Sequence, residues 1–110
     1  MSDEFTRVGA LGEVPEGELR AFDVSAGRVC VGHLGAGVFA IGDECTHEGC
    51  SLAEDGELTG EDNVECTCHG SQFDPETGEP VRGPAVDPLP VYQTRIVDGW
   101  IEVGRPAGEE

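Results

Sequence analysis

Two short stretches, Cys45-Thr46-His47-Glu48-Gly49-Cys50 and Cys66-Thr67-Cys68-His69-Gly70-Ser71, hold four of the chain's five cysteines and two of its three histidines. No other feature limits the fold as much, because the two stretches act as one site only in a fold that presents them to each other. They are matched half-sites. Cys45 and His47 stand in the first and Cys66 and His69 in the second, and each carries one further cysteine, Cys50 or Cys68. A thiolate and an imidazole from each side make a metal centre the natural reading, since both are strong ligands for borderline and soft ions.

Around these stretches, short apolar runs are separated by Gly, Pro, Asp and Ser, a pattern that predicts an all-β chain. With 110 residues there is room for one domain, 1–110. Glu18 to Val24, Arg28 to Leu34 and Val38 to Ile41 are candidate strands, with turns at Ser25-Ala26-Gly27 and Gly35-Ala36-Gly37, and the third strand delivers the chain to Cys45. Val91 to Val97 and Trp100 to Val103 flank Asp98-Gly99, a dipeptide suited to a two-residue type I′ hairpin because both turn positions need positive φ. No stretch carries a convincing helical pattern. Met1 to Glu4 and Gly104 to Glu110 are expected to be frayed tails.

The spacing C-x-H, eighteen residues, C-x-x-H resembles the signature of Rieske iron–sulfur proteins, in which two cysteines hold one iron of a [2Fe–2S] cluster and two histidines the other. Gly70-Ser71-Gln72-Phe73-Asp74 and Gly83-Pro84-Ala85 resemble the surroundings of such clusters. The resemblance implies one cluster per chain, with Cys45 and Cys66 on the inner iron and His47 and His69 on the outer one. It implies a fold of antiparallel sheets with a small cluster-binding subdomain, approximately 43–84, and a third loop in which Pro84 shields the cluster from water. In the subgroup of Rieske proteins found in quinol-oxidising complexes, cysteines at the places of Cys50 and Cys68 form a disulfide, whereas many Rieske ferredoxins lack it. Two readings of Cys50 and Cys68 therefore stand: that disulfide, and a pair of thiols, the state a reducing cytosol favours. Structural zinc is the competing reading of the ligands themselves, though zinc requires neither flanking segment.

The resemblance also says why two histidines are used. Two ferric ions and two sulfides carry +2, so two thiolates and two neutral imidazoles bring the oxidised site to zero, where four thiolates would give −2. A less negative site accepts an electron more readily, hence the range of roughly −150 to +300 mV for Rieske centres against about −400 mV for plant-type ferredoxins. Ferric iron should acidify the remaining ring N–H of His47 and His69, giving a potential that falls at alkaline pH. In high-potential relatives a serine at the place of Ser71 and a tyrosine at the place of Phe73 donate hydrogen bonds to cluster or ligand sulfur. Ser71 is present here and Phe73 lacks the hydroxyl, which implies an intermediate potential.

Charge narrows the partners. The chain has 23 acidic residues against 6 arginines and no lysine, for a net charge of −17, so nucleic acid is excluded as a partner. Many of the acids, among them Glu44, Glu48, Glu54, Asp55, Glu57, Glu61, Asp62 and Glu65, lie between or beside the half-sites. They read either as a solubilising surface or as a field that steers the protein to a basic docking patch on a redox partner. No run approaches the ~20 apolar residues of a membrane span, and Met1 to Ala10 has neither a twin arginine nor an apolar leader; a cytoplasmic protein without a membrane partner is expected.

Cys30, within the apolar run Val29 to Val31, reads as a core residue. His33 shares that run without a cysteine partner and reads as structural or surface. With every cluster position filled by a protein ligand, no coordination site is left for a substrate, so the expectation is an electron carrier and not an enzyme. The resemblance implies a one-electron ferredoxin that takes electrons from a flavin-containing NAD(P)H reductase and hands them to a terminal oxygenase, leaving through His47 and His69. The alternatives are a small Rieske subunit of a larger oxidoreductase such as nitrite reductase, and a zinc-holding structural module.

Overall fold

The computed structural model describes residues 5–24, 27–35, 37–44, 50–60, 62–68, 70–83 and 87–106, the side chains of 105 and 106 excepted. Among the described residues, ten strands are arranged in two antiparallel sheets. The larger is built from β1 (Thr6–Ala10), β2 (Leu19–Val24), β3 (Gly27–Leu34), β4 (Gly37–Gly42), β9 (Val91–Val97) and β10 (Trp100–Pro106), in the order β1-β10-β9-β4-β3-β2. The smaller is a meander of three-residue strands, β5 (Gly56–Leu58), β6 (Val64–Cys66), β7 (Ser71–Phe73) and β8 (Pro80–Arg82). The large sheet curls until its edges approach: a Cβ at Gly9 on β1 would come within 3.2 Å of the Phe22 ring on β2.

The small sheet is an excursion from the large one. The chain leaves at Gly42, and returns at Val91 to pair beside the point of departure, with Ile41 opposite Val91 and Ala40 opposite Tyr92. Gly42 N–H donates to the Pro90 carbonyl at 2.9 Å, which ties the two ends together. Gly78 secures the return: its carbonyl accepts from Leu89 N–H at 2.7 Å, its φ is +78°, and a Cβ there would strike the Leu89 carbonyl, so only glycine fits.

Val29, Cys30 and Val31 are each fully buried, as are Ala40 and Ile41, so β3 and β4 are covered on both faces. Successive side chains point to opposite sides of a strand. Val29, Val31 and Ala40 accordingly share one core with Val14, Ile101 and Val103 inside the curled sheet. Cys30 and Ile41, opposite each other on β3 and β4, share the other core with Leu52, Val64, Cys66, Phe73 and Leu89 from the excursion. This double coverage is why the sequence shows an apolar run there instead of alternation.

The three early candidate strands match β2 to β4 to within a residue or two, and the hairpin is as expected, with φ of +52° at Asp98 and +82° at Gly99. Three expectations need correction. Residues 104–106 are not a frayed tail, because β10 continues past an irregularity to pair Pro106 with Tyr92, and Gly104 leaves room for the Phe5 ring. A one-turn helix, α1 (Leu52–Asp55), follows the first loop, its Ser51 cap accepting from Glu54 N–H at 3.2 Å; a 3-10 turn occupies Leu11–Glu13. Finally, β1 and the four short strands lie where no strand is expected from the sequence. Residues 1–4, 25, 26, 36 and 107–110 lie outside the described residues.

Candidate metal centre

The first half-site hangs from the end of β4. Its base is closed by Asp43, a 4% exposed carboxylate that accepts from the Ser51 hydroxyl at 2.5 Å and from Ala53 N–H at 2.8 Å, while its carbonyl accepts from Leu52 N–H at 2.6 Å. Glu44 and Ser51 form a bridge across the same base. Arg28 completes the clamp from β3, with Nε 3.1 Å from the Asp43 carboxylate and Nη2 2.8 Å from Glu54. The hydrogen bond to Glu54, and then the field of Asp43, raise the Arg28 pKa, so it is charged at any working pH.

The second half-site is the turn after β6. Gly70 N–H donates to the Cys66 carbonyl at 2.8 Å with φ of +82° at Gly70, and Thr67 N–H donates to the Asp55 carbonyl at 2.8 Å. A disulfide between Cys50 and Cys68, with Cα atoms 6.8 Å apart, joins this turn to the first loop. The two stretches that the sequence separates thus meet. The sulfurs of Cys50, Cys66 and Cys68 all lie within 4.8 Å of one another.

Of the expected cluster ligands, Cys66 is described: its side chain is 1% exposed, at the end of β6. Cys45, His47 and His69 lie outside the described residues, as does Pro84. Ser71 and Phe73, expected to tune the potential, are both fully buried. Ser71 stands opposite Cys66 and Phe73 opposite Val64 on neighbouring strands, so all four side chains are on one face of the small sheet. The donor chemistry fits an iron–sulfur group: a buried thiol at a strand end, in a turn tightened by glycine, cross-linked to the loop that carries a second Cys/His pair.

A family model, the Rieske [2Fe-2S] domain, matches residues 4–93. The chain belongs to this family. Rieske domains bind one [2Fe–2S] cluster, and this Rieske chain is an electron carrier, not itself catalytic. Over 92 residues it is 39% identical to the biphenyl dioxygenase ferredoxin subunit of Pseudomonas sp. strain KKS102, covering 84% of each chain. The ferredoxin of carbazole 1,9a-dioxygenase from Nocardioides aromaticivorans IC177 superimposes with a TM-score of 0.86 at 32% identity, over 92% of this chain and 97% of that one. A chain from the complex of reduced oxygenase and oxidized ferredoxin in carbazole 1,9a-dioxygenase gives the same TM-score and identity, over 98% of this chain and 100% of that one.

The remaining candidates resolve simply. Cys30 is a core residue, with burial and then the field of Asp43 pushing its thiol pKa well up. His33 is half-buried and structural, its Nδ1 2.8 Å from the Val14 carbonyl. Glu44, Glu54, Asp55, Glu57 and Asp62 are exposed and Glu65 is half-exposed; Glu48 and Glu61 lie outside the described residues. The Asp43–Arg28 clamp was not among the expected site residues. Its sequence signal is Ser51-x-x-Glu54, a capping-box pattern right after the first loop. No described helix is long and apolar enough to cross a membrane.

Proposed function

We propose that this chain is the ferredoxin component of an oxygenase system, accepting electrons one at a time from an NAD(P)H-dependent flavin reductase and delivering them to a terminal oxygenase. The observation that carries the reading is the match to ferredoxin relatives over most of their length; the meeting of the two half-sites through Cys50–Cys68 supports the cluster site itself and not the choice of partner. The second reading, a small subunit of a nitrite reductase, has less support from those relatives.

In this proposal Cys45 and Cys66 hold one iron and His47 and His69 the other, within a cluster-binding subdomain of about 43–84 in a single 1–110 domain. When bound, the cluster supplies reversible one-electron chemistry. The residues supply the rest. Asp43 and the disulfide fix the loops relative to each other, Phe73 and Val64 exclude water from the face that carries Cys66, and Ser71 brings a hydroxyl to that same face. Pro84 shields the third side. Exposed acids beside the loops favour a basic docking patch on each redox partner. The proposal includes a cytoplasmic location, which an NAD(P)H-dependent donor would favour.

EPR of the dithionite-reduced protein tests the ligand set. Mixed Cys/His ligation gives a lower average g value than four cysteines, and Cys45→Ser and His47→Ala should each abolish the signal. A spectrum unchanged by both substitutions overturns the assignment.

A further inference from the structure

The disulfide locks up two of three sulfurs that are already gathered. Cys66 keeps its sulfur outside the bond, yet it lies within 4.8 Å of both bridging sulfurs. Tetrahedral zinc with Zn–S bonds of about 2.3 Å holds its thiolates roughly 3.8 Å apart, so the Cys66 sulfur need approach the other two by only about 1 Å at most, while the bonded pair opens to that distance once reduced. Their backbones are held independently of the bond. Cys66 is paired with Gly56 and Ser71, Cys68 follows Thr67 in the turn anchored on Asp55, and Cys50 precedes the Ser51 and Leu52 contacts to Asp43. Cys68 is exposed, Cys50 half-buried and Cys66 buried, so Cys68 is the member of the group that solvent reaches most readily.

We propose that reduction of Cys50–Cys68 turns Cys50, Cys66 and Cys68 into a three-thiolate site for a thiophilic divalent ion such as Zn(II) or Cd(II), exclusive of the [2Fe–2S] cluster because Cys66 belongs to both. The exclusivity rests on the ligand set proposed above; the metal site itself does not. A dithiol or phosphine reductant supplies two electrons and is itself oxidised, the S–S bond takes up two protons to give two thiols, and metal binding releases the thiol protons. Three soft donors select zinc-group ions over magnesium or calcium. The bond thereby keeps Cys50 and Cys68 from drawing the wrong metal onto Cys66.

The test uses Cys45→Ser chain, which keeps the three sulfurs and lacks one proposed cluster ligand. Reduced with a phosphine and titrated with Cd(II), it should bind one ion with the ultraviolet charge-transfer intensity of three thiolates. The oxidised chain should not. Adding Cys50→Ser or Cys68→Ser should weaken Cd(II) binding by roughly 100-fold or more. If the reduced chain loses its circular dichroism, Cd(II) should restore it. No Cd(II) binding by the reduced chain, no recovery of a fold lost on reduction, or binding indifferent to Cys50→Ser with Cys68→Ser would overturn the proposal. A cluster-free wild type would defeat the reading above while leaving the Cd(II) result standing.

Discussion

Asp43 and Ser51 clasp the two ends of the first loop, the Ser51 hydroxyl donating to the Asp43 carboxylate at 2.5 Å across eight positions of sequence. The second carboxylate oxygen accepts from Ala53 N–H, so one side chain fixes both the loop and the start of α1. Asp43→Ala leaves these donors without their acceptor, at about 1–3 kcal/mol for each buried group left unpaired. A loss of about 2–4 kcal/mol in urea unfolding is expected, and Asp43→Asn, which keeps a carbonyl oxygen, should lose less.

Cys50 and Cys68 are 18 residues apart in sequence, and closing a loop of that size restricts the unfolded chain by about 3 kcal/mol. Cys50→Ser with Cys68→Ser should lower the unfolding free energy by about that amount. Reductant should bring the wild type to the same midpoint and leave the double variant unmoved; equal midpoints for untreated wild type and variant would show that the bond contributes nothing.

Phe73 is the largest fully buried side chain among the described residues, and it shares both a core and a sheet face with Cys66. Phe73→Ala should cost about 3–5 kcal/mol, read by thermal or denaturant unfolding. Phe73→Tyr places a hydroxyl on the face that carries Cys66, a proposed cluster ligand. Taking about 1 kcal/mol as the difference one donor makes between redox states, the midpoint should rise by roughly 40 mV. An unchanged midpoint in voltammetry would show that the ring points away from the cluster.

Burial, with Asp43 adding to it, holds the Cys30 thiol neutral well above the ordinary cysteine range. Above about pH 8.5 an unfolded chain begins to lose this proton while the folded one keeps it. The unfolded state then binds fewer protons, so the contribution is fully present below that pH and declines as pH rises toward the folded value. The slope is at most about 1.4 kcal/mol per pH unit. Between about pH 8.5 and 10, wild type should lose stability more steeply than Cys30→Ala; parallel curves would refute this.

Steering by the acidic surface predicts that electron transfer to the proposed oxygenase partner slows as ionic strength rises, because screening shortens the reach of exposed charges to about 10 Å at 0.1 M. Stopped-flow rates that ignore salt would leave the acids a solubilising role only.

The half-sites and five strands of the large sheet, all but β1, were legible in the sequence because each carries its own local chemistry: paired soft donors in one case, β-branched runs bounded by glycine in the other. Asp98-Gly99 named its own turn. The small sheet was not legible. Strands of three residues such as Val64–Cys66 and Ser71–Phe73 are too short for alternation to register, and they stand only because Phe73, Val64 and Leu52 bury against Cys30 and Ile41, a long-range fact. The strand through 104–106 was hidden likewise, since Gly104 and Pro106 are poor strand formers accepted there by the Phe5 ring and by Tyr92. Asp43 gave no sign of its role because its partners are set by the fold.

The return of the chain at Val91 next to its exit at Gly42 has an evolutionary reading. All four proposed cluster ligands lie in sequence between two positions that touch, an arrangement that would let the insert lengthen, shorten or be replaced without reopening the surrounding barrel. Whatever is spliced in meets one fixed requirement: it must roof over Cys30 and Ile41, which would otherwise lie bare to water.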